Sequence, residues 1–406
     1  MREGWKLKAL SEVYDVRDGT HDSPKYIEKG YALITSKNLK DGVVTFDKVK
    51  FISEEDYNNI NKRSKVNVGD ILFAMIGTIG NPTVIMDEPN FAIKNVALFK
   101  LNNTQNSYFL KYYLESEYVI NKMLSEAKGT TQRFVGLGYL RKFPIYIPPL
   151  QEQQQIVAIL DKAFKVIDQA KANVEKNIEN AKELFQSKLN AIFSQKGDGW
   201  EEKTLGELCE IKPPKRLVKK KIKESDLVSF VPMKYLEVNR MYFNSEETKT
   251  LKQAYSGYVY FEEGDVVLAK ITPCFENGKL GIAKDLKNGI GFGSSEYVVY
   301  RTNSELLPEF LYFFLNRESF RIKGKSLMAG AVGHKRIQAD FYENEVISYP
   351  SLQVQEVICA EITDLQDNLN ILVENYNQRL TNLEELKKSI LQKAFAGELT
   401  NKEYAV

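Results

Sequence analysis

The chain contains two copies of one long segment, and this duplication restricts its fold more than any other feature. Gly4-Trp5 recurs as Gly199-Trp200 after 195 residues, and Leu150-Gln151 recurs as Leu352-Gln353 after 202 residues. Two copies are too few for a solenoid, in which several repeats stack on one another. We therefore predict a molecule with pseudo-twofold symmetry, in which each copy contributes the same series of elements.

Each copy consists of one segment that Gly and Pro residues interrupt often and a second segment that they interrupt little or not at all. Residues 1–149 and 197–350 combine short apolar runs with Gly, Asn and Pro at intervals typical of strands, so we predict a globular domain of mixed α/β fold in each. Residues 150–196 contain neither Gly nor Pro, and residues 351–406 are their counterpart. We predict that these two segments are long helices that alternate with the globular domains.

The two long segments have the spacing of a coiled coil. In the first, apolar side chains recur at steps of four or three, with one stutter near Val174; they are Ile156, Leu160, Ala163, Ile167, Ala170, Val174, Ile178, Ala181, Phe185 and Ile192. The second segment repeats this pattern 202 residues later, at Ile358, Ile362, Leu365, Leu369, Leu372, Tyr376, Leu380, Leu383 and Ala394. One inserted residue would rotate all later side chains of a helix by about 100°. Equal spacing in both copies therefore predicts two helices of fixed length that pack together as a rigid spacer.

Short motifs mark the junctions between the domains and the helices. Ile147-Pro-Pro-Leu-Gln-Glu-Gln-Gln-Gln-Ile156 opens the first helix, and Lys393-Ala-Phe-Ala-Gly-Glu-Leu-Thr400 closes the second. Together with the Gly-Trp pairs, the duplicated Gly-Asp strand and the segments at Gly129 and Gly330, they strongly resemble the specificity (S) subunits of type I restriction–modification systems. The resemblance covers the whole chain. The start of the second helix departs from it, because Pro350-Ser-Leu-Gln-Val-Gln355 lacks the Pro-Pro and the Glu.

The resemblance implies a DNA-reading subunit that is not itself an enzyme. Each globular domain would be a target-recognition domain for one half of a split, asymmetric sequence in double-stranded DNA. The helices would pair antiparallel, fix the distance between the half-sites and help to dock two methyltransferase (M) subunits, and motor–nuclease (R) subunits would complete a restriction enzyme. The resemblance implies no cofactor in this chain, since the partner subunits would use S-adenosylmethionine, ATP and Mg²⁺.

The densest basic run lies early in the second domain, over residues 212–223. It has seven Lys or Arg in twelve residues and no acid, and it includes Pro213-Pro214, so we predict an extended loop. Such a loop either binds DNA phosphates or is an ordinary solvated surface. The counterpart over residues 17–25 of the first domain is much less basic. The DNA-binding candidates from this run are Lys215, Arg216, Lys219 and Lys220.

Three duplicated positions supply further candidates. Residues 34–38 align with 231–235, residues 131–134 lie opposite 334–337 with one residue of slack, and residues 75–78 face 270–273. At each of these positions the residues are equally compatible with a DNA contact and with an ordinary role in a loop or an ion pair. The candidates from these segments are Lys37, Asn38, Arg133, Lys234, Lys270, Lys335 and Arg336.

Catalytic motifs are incomplete throughout the sequence. Asn81-Pro82-Thr83-Val84 lacks the second proline and the aromatic residue of an adenine methyltransferase, and the glycines of 289–293 lead into a strand rather than a helix. We therefore predict no catalytic and no metal site. Two alternatives stay open, a non-catalytic coiled-coil scaffold and a DNA adenine methyltransferase.

Composition favours a cytoplasmic protein. The chain is 43% hydrophobic and 27% charged, with a net charge of +2 that is weak evidence for a polyanionic partner. No apolar run reaches the ~18 residues that a membrane span needs, and the first residues lack the apolar region of a signal peptide. The three cysteines, Cys209, Cys274 and Cys359, are far apart and odd in number, which argues against a disulfide framework or a zinc site.

Overall fold

The duplication organises the structure into two compact units. The computed structural model describes residues 4–129, 133–195, 197–331 and 333–400. Unit 1 comprises residues 1–174 and 377–406, and unit 2 comprises residues 175–376. The two division points, after Val174 and after Tyr376, are 202 residues apart and coincide with the predicted stutter. Each unit therefore contains one globular domain, the first half of one long helix and the second half of the other.

Short strands and helices build the globular part of unit 1. Its strands are β1 (Lys6–Ala9), β2 (Asp15–Asp18), β3 (Tyr31–Ile34), β4 (Leu39–Lys40), β5 (Val43–Val44), β6 (Lys50–Ile52), β7 (Ile71–Ala74), β8 (Gly80–Val84), β9 (Phe91–Ile93), β10 (Val96–Lys100) and β11 (Pro144–Ile147). Its helices are α1 (Leu10–Val13), α2 (Glu54–Ser64), α3 (Ser107–Glu115), α4 (Glu117–Glu126) and α5 (Leu137–Lys142). A 3₁₀ turn occupies Ser36–Asn38. The first long helix, α6, follows as Leu150–Phe193.

Unit 2 repeats this series. Its strands are β12 (Glu201–Thr204), β13 (Cys209–Ile211), β14 (Leu227–Val231), β15 (Tyr242–Phe243), β16 (Thr248–Thr250), β17 (Val259–Glu262), β18 (Val266–Ala269), β19 (Leu280–Ala283), β20 (Ile290–Gly293), β21 (Tyr297–Thr302) and β22 (Val346–Tyr349). Its helices are α7 (Leu205–Leu208), α8 (Leu251–Ala254), α9 (Pro308–Leu315), α10 (Glu318–Ser326) and α11 (Ala339–Asn344), with 3₁₀ turns at Lys215–Lys220 and Lys287–Gly289. The second long helix, α12, is Leu352–Ala396.

Each domain is built on two main sheets that share a common strand order, to which unit 2 adds β15 in one sheet and β17 in the other. In unit 1 the strand orders are β2-β10-β7-β8 and β6-β3-β9, and in unit 2 they are β13-β21-β18-β19-β15 and β16-β14-β20-β17. The central pair of the second sheet is parallel in both units, β3 with β9 and β14 with β20. A two-stranded ribbon, β1 with β11 or β12 with β22, leads into each long helix. The predicted mixed α/β fold and the predicted internal repeat are confirmed.

The duplicated Gly-Asp pair has a structural role. Gly69 and Gly264 have φ angles of +86° and +84°, which favour glycine. The following carboxylates, Asp70 and Asp265, are both 2% exposed. Asp70 pairs with Lys100, and Asp265 accepts two bonds from Arg301, at 2.9 Å from Nε and 2.8 Å from Nη2. A buried carboxylate needs such a partner, so the motif fixes the turn that leads into β7 and β18.

The C-terminal end of each long helix packs against the domain of the other repeat. In unit 2 the ring centroid of Phe193 lies 4.9 Å from that of Phe310 and 5.6 Å from that of Phe314. In unit 1 the ring of Phe395 lies 5.4 Å from Phe109 and 5.3 Å from Tyr113. The repeats have therefore exchanged helix ends, and neither unit consists of one repeat alone.

Within unit 1 the two long helices run antiparallel. Lys387 Nζ donates to Asp168 Oδ1 at 3.3 Å, and Lys171 pairs with Glu384, so residue numbers rise on α6 as they fall on α12. In unit 2 the last residues of α6 and the first of α12 share one core, as Leu189 and Ile362 illustrate. No helix in the described part of the chain has the length and apolar character needed to cross a membrane.

The predicted apolar seam is buried or half-buried along the whole of α6. On α12, Leu365 and Leu372 do not follow the prediction, because they are 36% and 40% exposed. The seam of α12 passes through Ile362, Leu369 and Tyr376, and this leaves the two leucines on its flank.

Candidate nucleic-acid interface

In unit 1, four segments meet at one end of the two sheets. The Lys94 N–H donates to the carbonyl of Ile34 at 2.8 Å, which joins the end of β3 to the end of β9. Val96 pairs with Ala74, so the residues before β10 lie beside those after β7. The segment after α4 joins them, because the Val135 N–H donates to the Met75 carbonyl at 2.9 Å. We call residues 34–38, 75–78, 93–95 and 133–135 the loop edge of unit 1.

Unit 2 has the same backbone frame. The Ile337 N–H donates to the Lys270 carbonyl at 3.0 Å, and the Thr272 N–H donates to the Lys335 carbonyl at 2.9 Å. The second bond matches one in unit 1, where the Gly77 N–H donates to the Arg133 carbonyl at 2.9 Å. The loop edge of unit 2 comprises residues 231–235, 270–273, 293–296 and 333–337. The sequence aligned these two segments only to within one residue. The bonds fix the alignment, in which Arg133 corresponds to Lys335 and Phe134 to Arg336.

Seven of the predicted site residues lie on the loop edges. Lys37, Asn38 and Arg133 are on that of unit 1, and Lys234, Lys270, Lys335 and Arg336 are on that of unit 2. Strand β10 then leads away from this edge toward α3 and the start of α6, as β21 leads toward α9 and the start of α12. These seven candidates therefore lie at the end of β10 or β21 that is away from the start of α6 or α12. Thr131 and Gln132, from the aligned segment 131–134, lie outside the described residues.

Three of the cations at the unit 2 edge have partners. Arg336 makes a two-pronged pair with Glu296, 2.9 Å from Nε to Oε2 and 2.7 Å from Nη2 to Oε1. Lys270 Nζ donates to the Ser295 carbonyl at 3.0 Å, and Lys234 lies 2.6 Å from Glu247. These groups are held in place by carboxylates and carbonyls that are distant in sequence.

The pKa values at this edge follow from those contacts. The hydrogen bonds of Arg336 lower the pKa of Glu296 and raise that of Arg336. Burial lowers the pKa of Lys270, although the charge of Glu296 opposes that effect. The hydrogen bond with Glu247 raises the pKa of Lys234. The edge of unit 2 thus carries a set of fixed charges.

Other candidates at the loop edges differ in availability. Lys37, Arg133 and Lys335 are exposed, and within the described ranges their side chains have neither an ion pair nor a hydrogen bond. Asn38 is 5% exposed. Its Oδ1 accepts from the Thr35 N–H at 3.0 Å, and its Nδ2 donates to the Thr45 carbonyl at 3.0 Å. The amide of Asn38 therefore holds its own loop together, whereas the three cations face solvent.

The basic run of the second domain is a 3₁₀ helix, not the predicted extended loop. It spans Lys215–Lys220, starts directly after Pro214, and buries Val218 completely. Pro214 has a fixed φ angle, −72°, suited to the entry of a helix. The buried Val218 then anchors the turn against Val228 and Leu251.

The cations of this run fall into two groups. Lys219 lies 3.0 Å from Glu224 and 4.5 Å above the ring of Tyr255, and Lys215 Nζ donates to the Tyr255 carbonyl at 3.4 Å. Arg216 and Lys220 are exposed and, among the residues the structure describes, have no such partner. Of these four candidates, Lys215 and Lys219 thus have partners, whereas Arg216 and Lys220 have none within the described residues.

Sequence reasoning missed two residues that stand at one equivalent position, Asn95 and Glu296. Each directly precedes the strand that follows the loop edge, β10 or β21. Glu296 fixes Arg336, whereas Asn95 Oδ1 lies 2.9 Å from Nδ1 of His21, whose Nε2 lies 2.8 Å from Asp18. Their shared position directly before a duplicated strand could have identified them. The equivalence was hard to see in the sequence because one residue is Asn and the other is Glu.

The described ranges contain no group of three or more His, Cys, Asp or Glu side chains placed to hold a metal ion. The loop edges carry cations, amides and hydroxyls, together with the carboxylate of Glu296. Such groups bind phosphate oxygens and base edges.

Comparison with known proteins gives a consistent family. The family model for the type I restriction modification DNA specificity domain matches residues 2–180 and again residues 197–382. The chain is 40% identical over 192 residues to the type I restriction enzyme EcoAI specificity subunit of Escherichia coli, which covers 46% of this chain and 31% of that protein. The chain therefore spans less than half the length of that relative.

Two further similarities cover almost the whole chain. The EcoKI specificity subunit of Escherichia coli K12 is 22% identical over 426 residues, which is 98% of this chain and 90% of that protein. A chain from a solved structure on the complex assembly and conformational transition of the type I R-M system has a TM-score of 0.73 at 18% identity, covering 98% of this chain and 99% of that one. The structural likeness supports the fold, and the two family matches support membership. The chain belongs to the family of type I restriction–modification DNA specificity subunits.

Proposed function

We propose that each loop edge reads one half of a split DNA target, and that the chain itself performs no catalysis. The observation that carries this proposal is the shared frame of the two edges. In both units the same backbone bonds present an exposed cation, Arg133 in unit 1 and Lys335 in unit 2, whose side chain has no partner among the described residues. An exposed cation is suited to a phosphate contact, which orients a protein on DNA without reading its sequence.

The side chains around that cation differ between the units and are suited to reading sequence. Met75, Asn95 and Phe134 of unit 1 stand at the positions of Lys270, Glu296 and Arg336 of unit 2. Apolar and charged groups recognise different base edges in the major groove. Two unlike half-sites, and therefore an asymmetric target, follow from this difference.

The remaining parts of the proposal concern spacing and partners. The long helices fix the distance between the half-sites, because α6 and α12 each continue from one unit into the other. Its relatives are specificity subunits of type I restriction enzymes, which supports assembly of this chain with two methyltransferase subunits and with motor–nuclease subunits. The cofactors of that complex, S-adenosylmethionine, ATP and Mg²⁺, would be bound by those partners, and the complex would act on DNA in the cytoplasm.

The division of labour proposed for this chain follows its duplicated order. Residues 1–149 and 197–350 form the two target-recognition domains, residues 150–196 form the central spacer helix, and residues 351–406 form the C-terminal spacer helix and tail. Within this scheme Lys37, Arg133, Arg216, Lys220 and Lys335 are the cations that face DNA. Lys234, Lys270 and Arg336 are held by protein partners and present fixed charges to the bases.

Single-molecule sequencing of adenine methylation in host DNA tests this proposal. Deleting the gene should abolish methylation at one split, asymmetric motif, and restoring it should bring that motif back. Unchanged methylation, in cells where the methyltransferase partner is present, would contradict the proposal.

A further inference from the structure

A buried glutamine stands at the same position near the start of each long helix. Gln153 and Gln355 are 202 residues apart, and both side chains are 0% exposed. Gln151 and Gln353, two residues earlier in the same helices, are exposed. A fully buried amide requires hydrogen-bond partners, because leaving its polar atoms unpaired is costly.

In unit 1 the amide of Gln153 joins the helix to the loop before α3. Its Oε1 accepts from the Asn106 N–H at 3.0 Å. Its Nε2 donates to Gln105 Oε1 at 2.9 Å and to the Pro148 carbonyl at 2.9 Å. One side chain thus ties together the entry of α6, the first turn of that helix and the recognition domain.

In unit 2 Gln355 makes the equivalent contacts. Its Oε1 accepts from the Leu307 N–H at 2.9 Å, just before α9. Its Nε2 donates to the carbonyls of Glu305 and Pro350, both at 2.8 Å. The pattern persists although the second copy lacks the Pro-Pro and the Glu of the first motif. The glutamine is therefore the part of the motif that both junctions use.

The position of this contact makes it sensitive to angle. It lies where each domain meets its helix, at the end of β10 or β21 that is opposite the loop edge. Helix α6 has 44 residues, or roughly 66 Å at 1.5 Å per residue. A tilt of roughly 3° at its start moves its far end by about 3.4 Å, the rise of one base pair. Recognising a spacer to within one base pair therefore requires a rigid junction.

We infer that Gln153 and Gln355 are positioning residues that hold each recognition domain at a fixed angle to its helix and so set how strictly the complex selects half-site spacing. The inference rests on the proposed function. The two residues act through the helix rather than by touching DNA. Their loss should leave the half-site sequences unchanged and relax the spacing requirement.

The experiment measures adenine methylation as a function of spacer length. Cells that contain the partner methyltransferase subunits receive the full-length chain and plasmids in which the two half-sites are separated by the natural spacer, or by one base pair more or less. Gln153→Met and Gln355→Met keep the length of the side chain but remove its polar atoms. Gln151→Met and Gln353→Met are matched controls on the exposed side of the same turns.

We expect each buried-site variant to raise methylation at the wrong spacers, relative to the natural one, by about tenfold. The control variants should keep the wild-type ratio. A ratio unchanged in Gln153→Met and Gln355→Met would overturn the inference. An equal loss at all three spacers would also overturn it, since that is the result of a merely structural role. Absence of any split motif with the wild-type chain would instead refute the proposed function.

A second substitution at position 153 keeps the test decisive if Gln153→Met folds poorly. Gln153→Glu keeps an oxygen that accepts from the Asn106 N–H, but it has no N–H to donate to the Pro148 carbonyl. It should relax the spacing ratio at least as much as Gln153→Met, because its buried carboxylate would face the Gln105 Oε1 and the Pro148 carbonyl without a proton to donate. A Gln153→Glu chain that folds and has the wild-type ratio would count against the inference.

Discussion

The two loop edges share main-chain hydrogen bonds but differ in the charge of their side chains. In unit 1 the positions of Met75, Asn95 and Phe134 carry no charge. In unit 2 the equivalent positions form an ion cluster, in which Glu296 holds Arg336 and also lowers the energy of the charged Lys270. The two main-chain bonds that join residues 75–77 to residues 133–135 in unit 1 recur between residues 270–272 and 335–337 in unit 2. The comparison shows that both copies keep the main-chain hydrogen bonds of the loop edge, whereas the side chains at that edge differ between the copies.

The exchanged helix ends also make equivalent contacts in the two units. Phe193 belongs to the first repeat but packs in unit 2, and Phe395 belongs to the second but packs in unit 1. Their aromatic partners occupy matching positions on α9 and α3. Each globular domain is thus stabilised by a long helix that begins at the other one, and this makes the long helices part of both cores.

Removing an exchanged aromatic ring should have the largest effect. Phe193→Ala is expected to lower the free energy of unfolding by about 3–5 kcal/mol, because Phe193 is buried among the rings of unit 2. Phe395→Ala should have a smaller effect, on unit 1, because Phe395 is only half-buried. Hydrogen exchange followed by mass spectrometry should locate the loss around Phe310 for the first variant and around Phe109 for the second.

Matched controls for this prediction lie on the outer faces of the same helices. Leu184 and Leu386 are 202 residues apart and are 63% and 47% exposed. Alanine at either position should change the free energy of unfolding by no more than about 0.5 kcal/mol. Faster exchange in the domain of the same repeat after Phe193→Ala would contradict the exchange of helix ends.

Removing the cation shared by the two edges should have an intermediate effect. Arg133→Ala and Lys335→Ala should each weaken DNA binding by the assembled complex and reduce the slope of log affinity against log salt by about 0.9. Lys8→Ala is the control, because Lys8 is exposed on β1, next to the start of α6 rather than at the loop edge. Equal effects of all three substitutions would show that these edges do not face DNA.

Acid should have the smallest effect, and it should act on the ion cluster of unit 2. Since Arg336 lowers the pKa of Glu296, this pair contributes stability at pH values above the ordinary Glu pKa of 4.5. That contribution is lost as the pH falls through the lowered value in the folded protein. Urea unfolding, measured between about pH 6 and pH 3, should show a shallower loss of stability in Glu296→Gln than in wild type. Parallel curves for the two proteins would contradict the assignment.

Periodicity and duplication predicted the architecture because both are properties of the sequence itself. The seam of α6 follows from the spacing of Ile156, Leu160 and the later apolar residues. The same spacing does not reveal what that seam contacts, so the packing of Phe193 against Phe310 could not be predicted. Leu365 and Leu372 show a related limit, because residues beside a seam have nearly the same period as those on it.

The candidate site was less accessible from sequence, since hydrogen bonding depends on loops that meet only after folding. Asn38 has the chemistry of a base reader, but its amide is used by Thr35 and Thr45. Lys234 and Arg336 acquire partners 13 and 40 residues away. Gln153 offered one signal that sequence reasoning overlooked, a polar residue at an otherwise apolar position of the helix seam.

The central claim is that two equivalent frames with different side chains read two different half-sites at one spacing. It is tested most directly by a chain in which a second copy of residues 1–149 replaces residues 197–350. Phe109 and Tyr113 of the inserted copy would supply the ring positions that Phe193 needs. Single-molecule sequencing should then find adenine methylation at a split palindrome, made of one half-site repeated in inverted orientation, with the spacing of the wild-type target. Methylation of the original asymmetric motif by this chain would contradict the account.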